Sequence, residues 1–154
     1  MKILKSIAEI RTYGKAVAGT LGFVPTMGAL HPGHLSLVER SRNETDLTVV
    51  SIYVNPTQFN NPNDLANYPE TLTVDLQMLE AAGVSAVFMP TYELLYPDDY
   101  AYEVDEKQFS KELCGENRPG HFTGVLTVVM KLLNLVKPQK AYFGEKDFQQ
   151  LSLV

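Results

Sequence analysis

The run Leu47 to Val54, LTVVSIYV, restricts the fold of this chain more than any other stretch. It is almost uninterrupted in apolar and β-branched residues, so as a strand it needs cover on both faces, as inside a parallel sheet. Parallel neighbours require crossover connections, and helix-patterned stretches do alternate with the other apolar runs. Lys2 to Lys5, Gly22 to Pro25, Val84 to Met89 and Lys140 to Phe143 read as further strands. Between the first two, Ser6-Ile7-Ala8-Glu9 has the form of a capping box, with Ile7, Ile10 and Val17 as a rough helical stripe and Gly19 as its stop. Leu35, Leu37 and Val38 make the inward side of a second helix. Leu72, Leu76 and Leu79 recur at helical spacing ahead of Gly83, which predicts a third. The pattern is that of an α/β protein built on a parallel sheet.

Asn60 to Pro69 reads as a loop, and Thr91 to Asn117 as the least regular part, with Tyr100 to Val104 as a short strand and Lys107 to Leu113 as a short helix. The acids of that region, Asp98, Asp99, Glu103, Asp105 and Glu106, lack the tight spacing of a cation site and read as a solvated surface. From Val125 to Val136 apolar residues surround the helix instead of striping it, so this helix should be deeply buried until Pro138 ends it. Phe148 to Val154 reads as the first two turns of an amphipathic helix. A formal net charge of −5 argues against a nucleic-acid or anionic-membrane surface. Cys114 stands alone, no run approaches a membrane span, and a cytoplasmic protein is the expectation.

The chemistry concentrates in residues 21 to 38, LGFVPTMGALHPGHLSLV, a strand, a turn of small residues and a helix opened by His31-Pro32-Gly33-His34. Proline suits a first helical turn because it lacks an N–H and its φ is preset. Gly28 and Gly33 let a ligand approach the backbone, and the unpaired N–H groups of a helix start favour phosphate. Two imidazoles three residues apart can stabilise phosphoryl oxygens and the charge that grows on them. Asn55-Pro56-Thr57-Gln58 and Gly144-Glu145-Lys146-Asp147 are turns at the carboxyl ends of two other strands, where open α/β sheets bind ligands. Lys146 is a candidate cation for a triphosphate, and Gln58 can donate and accept towards hydroxyl and carboxylate groups. Arg118 suits an anion or a plain surface equally, and nothing in the sequence marks His121 as catalytic.

Four ordered blocks carry a resemblance: PTMGALHPGH from Pro25, YVNPTQF from Tyr53, RPGHFTGV from Arg118 and AYFGEKDFQQL from Ala141. Together they are similar to the pantothenate synthetase (pantoate–β-alanine ligase) family, over essentially the whole chain. That resemblance implies a Rossmann-like parallel sheet with helices on both faces, of the His-x-Gly-His nucleotidyltransferase type. It implies an ATP-dependent ligase that joins pantoate to β-alanine through pantoyl adenylate, with magnesium accompanying ATP and no metal site of the protein's own. His34 takes the role of catalytic histidine, assisted by His31 and Lys146. ATP is held by Met27, Gly28, Ala29, Leu30, His31, Pro32, Gly33 and His34, and by Gly144, Glu145, Lys146 and Asp147. Gln58 and Gln150 grip pantoate, and Gln58 also lies where β-alanine enters. Partners are these small molecules and a second copy in a homodimer, with no nucleic acid and no membrane. The family continues into a smaller lid domain and a serine- and arginine-containing loop, so residues 1–154 are expected to be its N-terminal ATP- and pantoate-binding domain. An adenylyltransferase that stops at AMP transfer, and a non-catalytic nucleotide-binding module, share the central motif and stand as alternatives.

Overall fold

A computed structural model describes residues 1–154. Five strands form one sheet: β1 (Lys2–Leu4), β2 (Leu21–Thr26), β3 (Leu47–Ile52), β4 (Ala86–Phe88) and β5 (Lys140–Ala141). Their order is β1-β4-β3-β2-β5, and every neighbouring pair is parallel. Helices α1 (Ile7–Ala16), α2 (Pro32–Glu44), α3 (Pro62–Ala66), α4 (Leu72–Ala81), α5 (Tyr92–Leu95), α6 (Cys114–Asn117), α7 (His121–Val136) and α8 (Phe148–Leu153) make the connections.

The period of two along each strand divides the core into two layers. Phe23, Val49, Ala86 and Phe88 face one side, where Ile10 of α1 and Val125, Val128, Val129 and Leu132 of α7 cover them. Val24, Val50 and Val87 face the other side, against Val38 of α2 and Leu79 of α4. Helices therefore cover both faces, as the apolar Leu47 to Val54 run requires. β3 stops at Ile52, however, and the chain enters a 3₁₀ turn over Pro56–Gln58.

The capping box of α1 forms as its sequence predicts, with the Ser6 hydroxyl and the Glu9 carboxylate each serving the other's backbone N–H. Gly19 does not end that helix: α1 stops at Ala16, and Val17 is already extended. Leu72 faces solvent instead of joining Leu76 and Leu79, and the inward place is taken by Asp75, for a reason met in the site. The loop from Asn60 contains the short helix α3, capped by the Asn61 side chain. No strand forms over Tyr100 to Val104; that segment is held instead through its Val104 N–H by the Thr127 hydroxyl of α7. In place of one helix over Lys107 to Leu113 there is a 3₁₀ turn at Phe109–Lys111, followed by α6. Helix α7 is buried all round only in its first half, and Met130 and Asn134 of its second half reach solvent.

One packing detail of α7 governs the site. It lies so close to the Pro56–Gln58 turn that a Cβ on Gly124 would come within 2.6 Å of the Thr57 carbonyl oxygen and 2.8 Å of the Gln58 Cα. Both are backbone atoms, so relief requires moving the turn or the helix. Gly124→Ala should therefore destabilise the protein by about 2 kcal/mol in urea unfolding, the middle of the overpacking range. A variant as stable as the parent would show that the turn yields freely.

Candidate active site

The turn after β2 carries a strained backbone. Gly28 has φ 81° and Ala29 φ 49°, the latter in the left-handed region that alanine rarely adopts. Two buried side chains hold it there. The Thr26 hydroxyl donates to the Ser51 carbonyl at 2.7 Å and accepts the Gly28 N–H at 3.2 Å. The Asp75 carboxylate, on a residue only 2% exposed, accepts the Ala29 N–H at 3.0 Å and the Leu30 N–H at 2.9 Å. It also accepts the Thr71 hydroxyl at 2.9 Å. A buried carboxylate is tolerable only when its charge is satisfied by donors, and Asp75 has three.

That clamp aims the start of α2. Pro32 opens the helix and His31 is its N-cap, with Nδ1 accepting the Gly33 N–H at 3.1 Å. The His34 N–H turns back to the His31 carbonyl at 2.9 Å. The first-turn N–H groups of Gly33 and His34 are therefore already spent inside the helix start, contrary to the expectation that they stay open for phosphate. What this helix start offers is its dipole and two imidazoles. Because His31 Nδ1 accepts, a neutral His31 carries its proton on Nε2 and can donate it outward. The two rings lie 4.0 Å apart, centroid to centroid. His34 is half-buried and its Nδ1 has no partner. Burial, helped by the neighbouring His31, pushes its pKa below the ordinary value of 6.5, while the Asp75 charge opposes that shift.

Two adjoining cavities open beside these rings. The first, about 150 Å³, is lined by His31, Gly33, His34, Gly144, Lys146 and Asp147 among others. The second, about 170 Å³, is lined by Met27, His34, Asn55, Gln58, Asp147 and Gln150 with an apolar wall from α7. His34, Asp147 and Gln150 belong to both. The structure thus brings together His31, His34, Lys146, Gln58 and Gln150. Met27 lies on the glutamine side, and Ala29, Leu30, Pro32 and Glu145 line neither cavity. Gly28 lines a third hollow on the Asp75 side. Lys146 is exposed, with its ammonium 3.5 Å from Asp147. Gln150 is aimed by its neighbour. Gln149 is buried, donates to the Phe109 and Glu112 carbonyls at 2.8 and 2.7 Å, and accepts the Cys114 N–H at 3.0 Å, which pins α8.

Three contributors escaped the sequence reading. Asp75 left one signal, an acid on the inward stripe of an amphipathic helix. Asn55 sat in a block already singled out, but its burial could not be read there. His121 is buried and its Nδ1 lies 2.8 Å from the Gln58 carbonyl, to which it must donate. Burial lowers its pKa too, with the Gln58 hydrogen bond opposing. Arg118 is exposed and lines neither cavity.

A pantoate-beta-alanine ligase family model matches residues 2–154. A pantothenate synthetase of Bdellovibrio bacteriovorus is 56% identical over 153 residues, covering 99% of this chain and 61% of that protein. A bifunctional pantoate ligase/cytidylate kinase of Synechococcus elongatus is 55% identical, covering all of this chain and 30% of that protein. The crystal structure of a Francisella tularensis pantoate-beta-alanine ligase, complexed with beta-gamma ATP and beta-alanine, superposes with a TM-score of 0.97 at 46% identity, over 99% of this chain and 60% of that one. A pantothenate synthetase from Thermus thermophilus gives 0.92 at 47% identity. The chain thus spans about three fifths of the Bdellovibrio protein's length.

Removing the clamp should be costly. Asp75→Ala leaves two turn N–H groups without their acceptor and should cost about 3 kcal/mol, read by denaturant unfolding; Asp75→Asn, which keeps one acceptor oxygen, should cost roughly half that. The half-buried His34 and the buried His121 predict a pH effect. Their folded pKa values lie below the ordinary 6.5, so stability is full above pH 6.5 and falls between there and the folded values, the window in which the unfolded chain takes protons that the folded one refuses. His121→Gln should flatten the loss of urea resistance as pH falls below 6.5. An unaltered slope would assign that loss to other groups.

Proposed function

The chain belongs to the pantoate–β-alanine ligase family, and from that premise we propose that it activates pantoate with ATP and joins it to β-alanine. The observation that carries this reading is the pair of adjoining cavities that share His34. A carboxylic acid held between Gln58 and Gln150 has its carboxylate at the mouth of the cavity where Lys146, His31 and His34 would receive a triphosphate. The carboxylate oxygen attacks the α-phosphorus; the new P–O bond forms as the bond to the β-phosphate oxygen breaks, and pyrophosphate leaves. The β-alanine amine then attacks the acyl carbon of pantoyl adenylate, AMP departs with the C–O bond pair, and the amine proton passes to solvent.

No covalent nucleophile is needed, and catalysis is positioning and charge stabilisation. Lys146 supplies the compact cation for the triphosphate. His31 donates from Nε2 to a phosphoryl oxygen, and His34 lies between the two cavities where charge grows. Of the rest of the ATP set, Gly33, Gly144 and Asp147 line the triphosphate cavity, while Gly28, Ala29, Leu30 and Pro32 form the turn that aims the two imidazoles. Magnesium bound to ATP would offset the phosphate charge, and Asp147 is the carboxylate on the first cavity that could face it. The beta-gamma ATP and beta-alanine named for the Francisella structure support those two substrates.

Residues 1–154 act in this reading as the ATP- and pantoate-binding domain of a cytoplasmic enzyme. A homodimer belongs to the same reading, with exposed Tyr102 and Leu113 as candidate contacts, and sedimentation would measure it.

The test is pantoate-dependent exchange of labelled pyrophosphate into ATP, with magnesium. Exchange is expected, and His34→Ala should lower it by roughly a hundredfold or more, as for loss of one group that stabilises transition-state charge. Exchange without pantoate, or a His34→Ala variant as active as the parent, would overturn the assignment.

A further inference from the structure

Gln58 is an amide, and which end of it faces the cavity decides what the cavity can bind. The surrounding hydrogen bonds settle that through Asn55, which is 1% exposed. Asn55 Nδ2 lies 3.2 Å from the Gly124 carbonyl oxygen. A carbonyl only accepts, so nitrogen must face it and the Asn55 oxygen must face the other way. That oxygen accepts the Tyr96 hydroxyl at 2.9 Å and the Thr57 hydroxyl at 3.1 Å. The second hydrogen on Asn55 Nδ2 goes to Gln58 Oε1 at 3.3 Å. Gln58 Nε2 is then the end left over, 3.1 Å from the Met27 sulfur in the cavity wall. A thioether is a weak acceptor, so these donor hydrogens remain available to a stronger one.

We propose that Tyr96 is a positioning residue: through Asn55 it locks Gln58 with its amide nitrogen towards the cavity, so that the site selects an acid by its acceptor oxygens. Tyr96 is suited to the task. It is 2% exposed, clamped between the rings of Tyr92 and Tyr100 at 5.0 and 5.3 Å, so its hydroxyl cannot swing away. A phenol is protonated at physiological pH in any case, and burial pushes this one up to about 12, further from losing its donor hydrogen. The Gln58 main chain is fixed independently by His121, so the relay sets the side chain alone. A buried network of this kind must be satisfied throughout, and removing one donor loosens the amide that depends on it.

This inference rests on the reading of the glutamine cavity as the pantoate site, and its test separates the two. In the first arm, calorimetry measures pantoate binding in the presence of α,β-methylene ATP. Tyr96→Phe should weaken pantoate about fivefold, the value of one net hydrogen bond, and leave the nucleotide analogue's own affinity unchanged. In a Gln58→Ala background the same substitution should have no further effect, because the group it positions is gone. In the second arm, the side-chain amide resonances of Gln58, assigned by their loss in Gln58→Ala, are followed by NMR with no ligand; Tyr96→Phe should shift them. Unmoved resonances, an equal loss in the Gln58→Ala background, or equal weakening of pantoate and nucleotide would each overturn the relay. If the parent chain binds the analogue but no pantoate while Tyr96→Phe still moves the Gln58 signals, the relay stands and the pantoate reading fails.

Discussion

β2 lies between β3 and β5 with all three strands parallel, and this alignment is the constraint on which the cleft depends. Parallel strands release their turns at one edge of the sheet, so three segments far apart in sequence are delivered side by side. They are the Met27–His34 turn, the Asn55–Gln58 turn and the Gly144–Asp147 turn. The helices that follow β2 and β5 diverge, α2 packing on one face and α8 on the α7 side, which opens a crevice between them. An antiparallel neighbour would have sent one of these turns to the opposite edge.

Alignment brings the turns close, but buried polar groups set their geometry. Asp75 holds the first turn by its backbone, and Thr26 ties it to β3. Asn55 and His121 hold the second turn from its side chain and its main chain. Gln149 anchors the third through α8. Each is a buried group whose loss leaves partners unsatisfied, so rigidity of the cleft and stability of the fold rest on the same bonds. Packing adds its own demand at Gly124, where only a hydrogen fits between α7 and the second turn.

The parallel α/β class, helices on both faces and the strand–turn–helix around His31 and His34 were legible because periodicity and capping are local. Ser6 with Glu9 and Pro32 at a helix start are examples, each read within four residues. The misreadings share an opposite cause. Leu72 follows the stripe but lies exposed, while Asp75 goes inward to meet a turn about 45 residues earlier. Tyr100 to Val104 has strand composition but finds no neighbouring strand, and its backbone is satisfied by a helix side chain instead. The helix-start N–H groups looked open to phosphate, yet the adjacent His31 closes two of them, one with its ring and one with its carbonyl.

The sequence by itself determined the chemistry available: two imidazoles at a helix start, a lysine and two glutamines in turns, and apolar runs that must be covered on both sides. Their types and local spacing were enough, because helix starts and strand ends are decided by neighbours along the chain. Only the tertiary structure decided which ring atom donates, which end of Gln58 faces the cavity and which acid is buried to hold the turn. Those outcomes hang on contacts such as Asn55 with Gly124 and Tyr96, or Asp75 with Ala29 and Leu30, between residues some 40 to 70 positions apart. Hydrogen-bond direction is set by what a group meets in space, and only the folded chain supplies those partners.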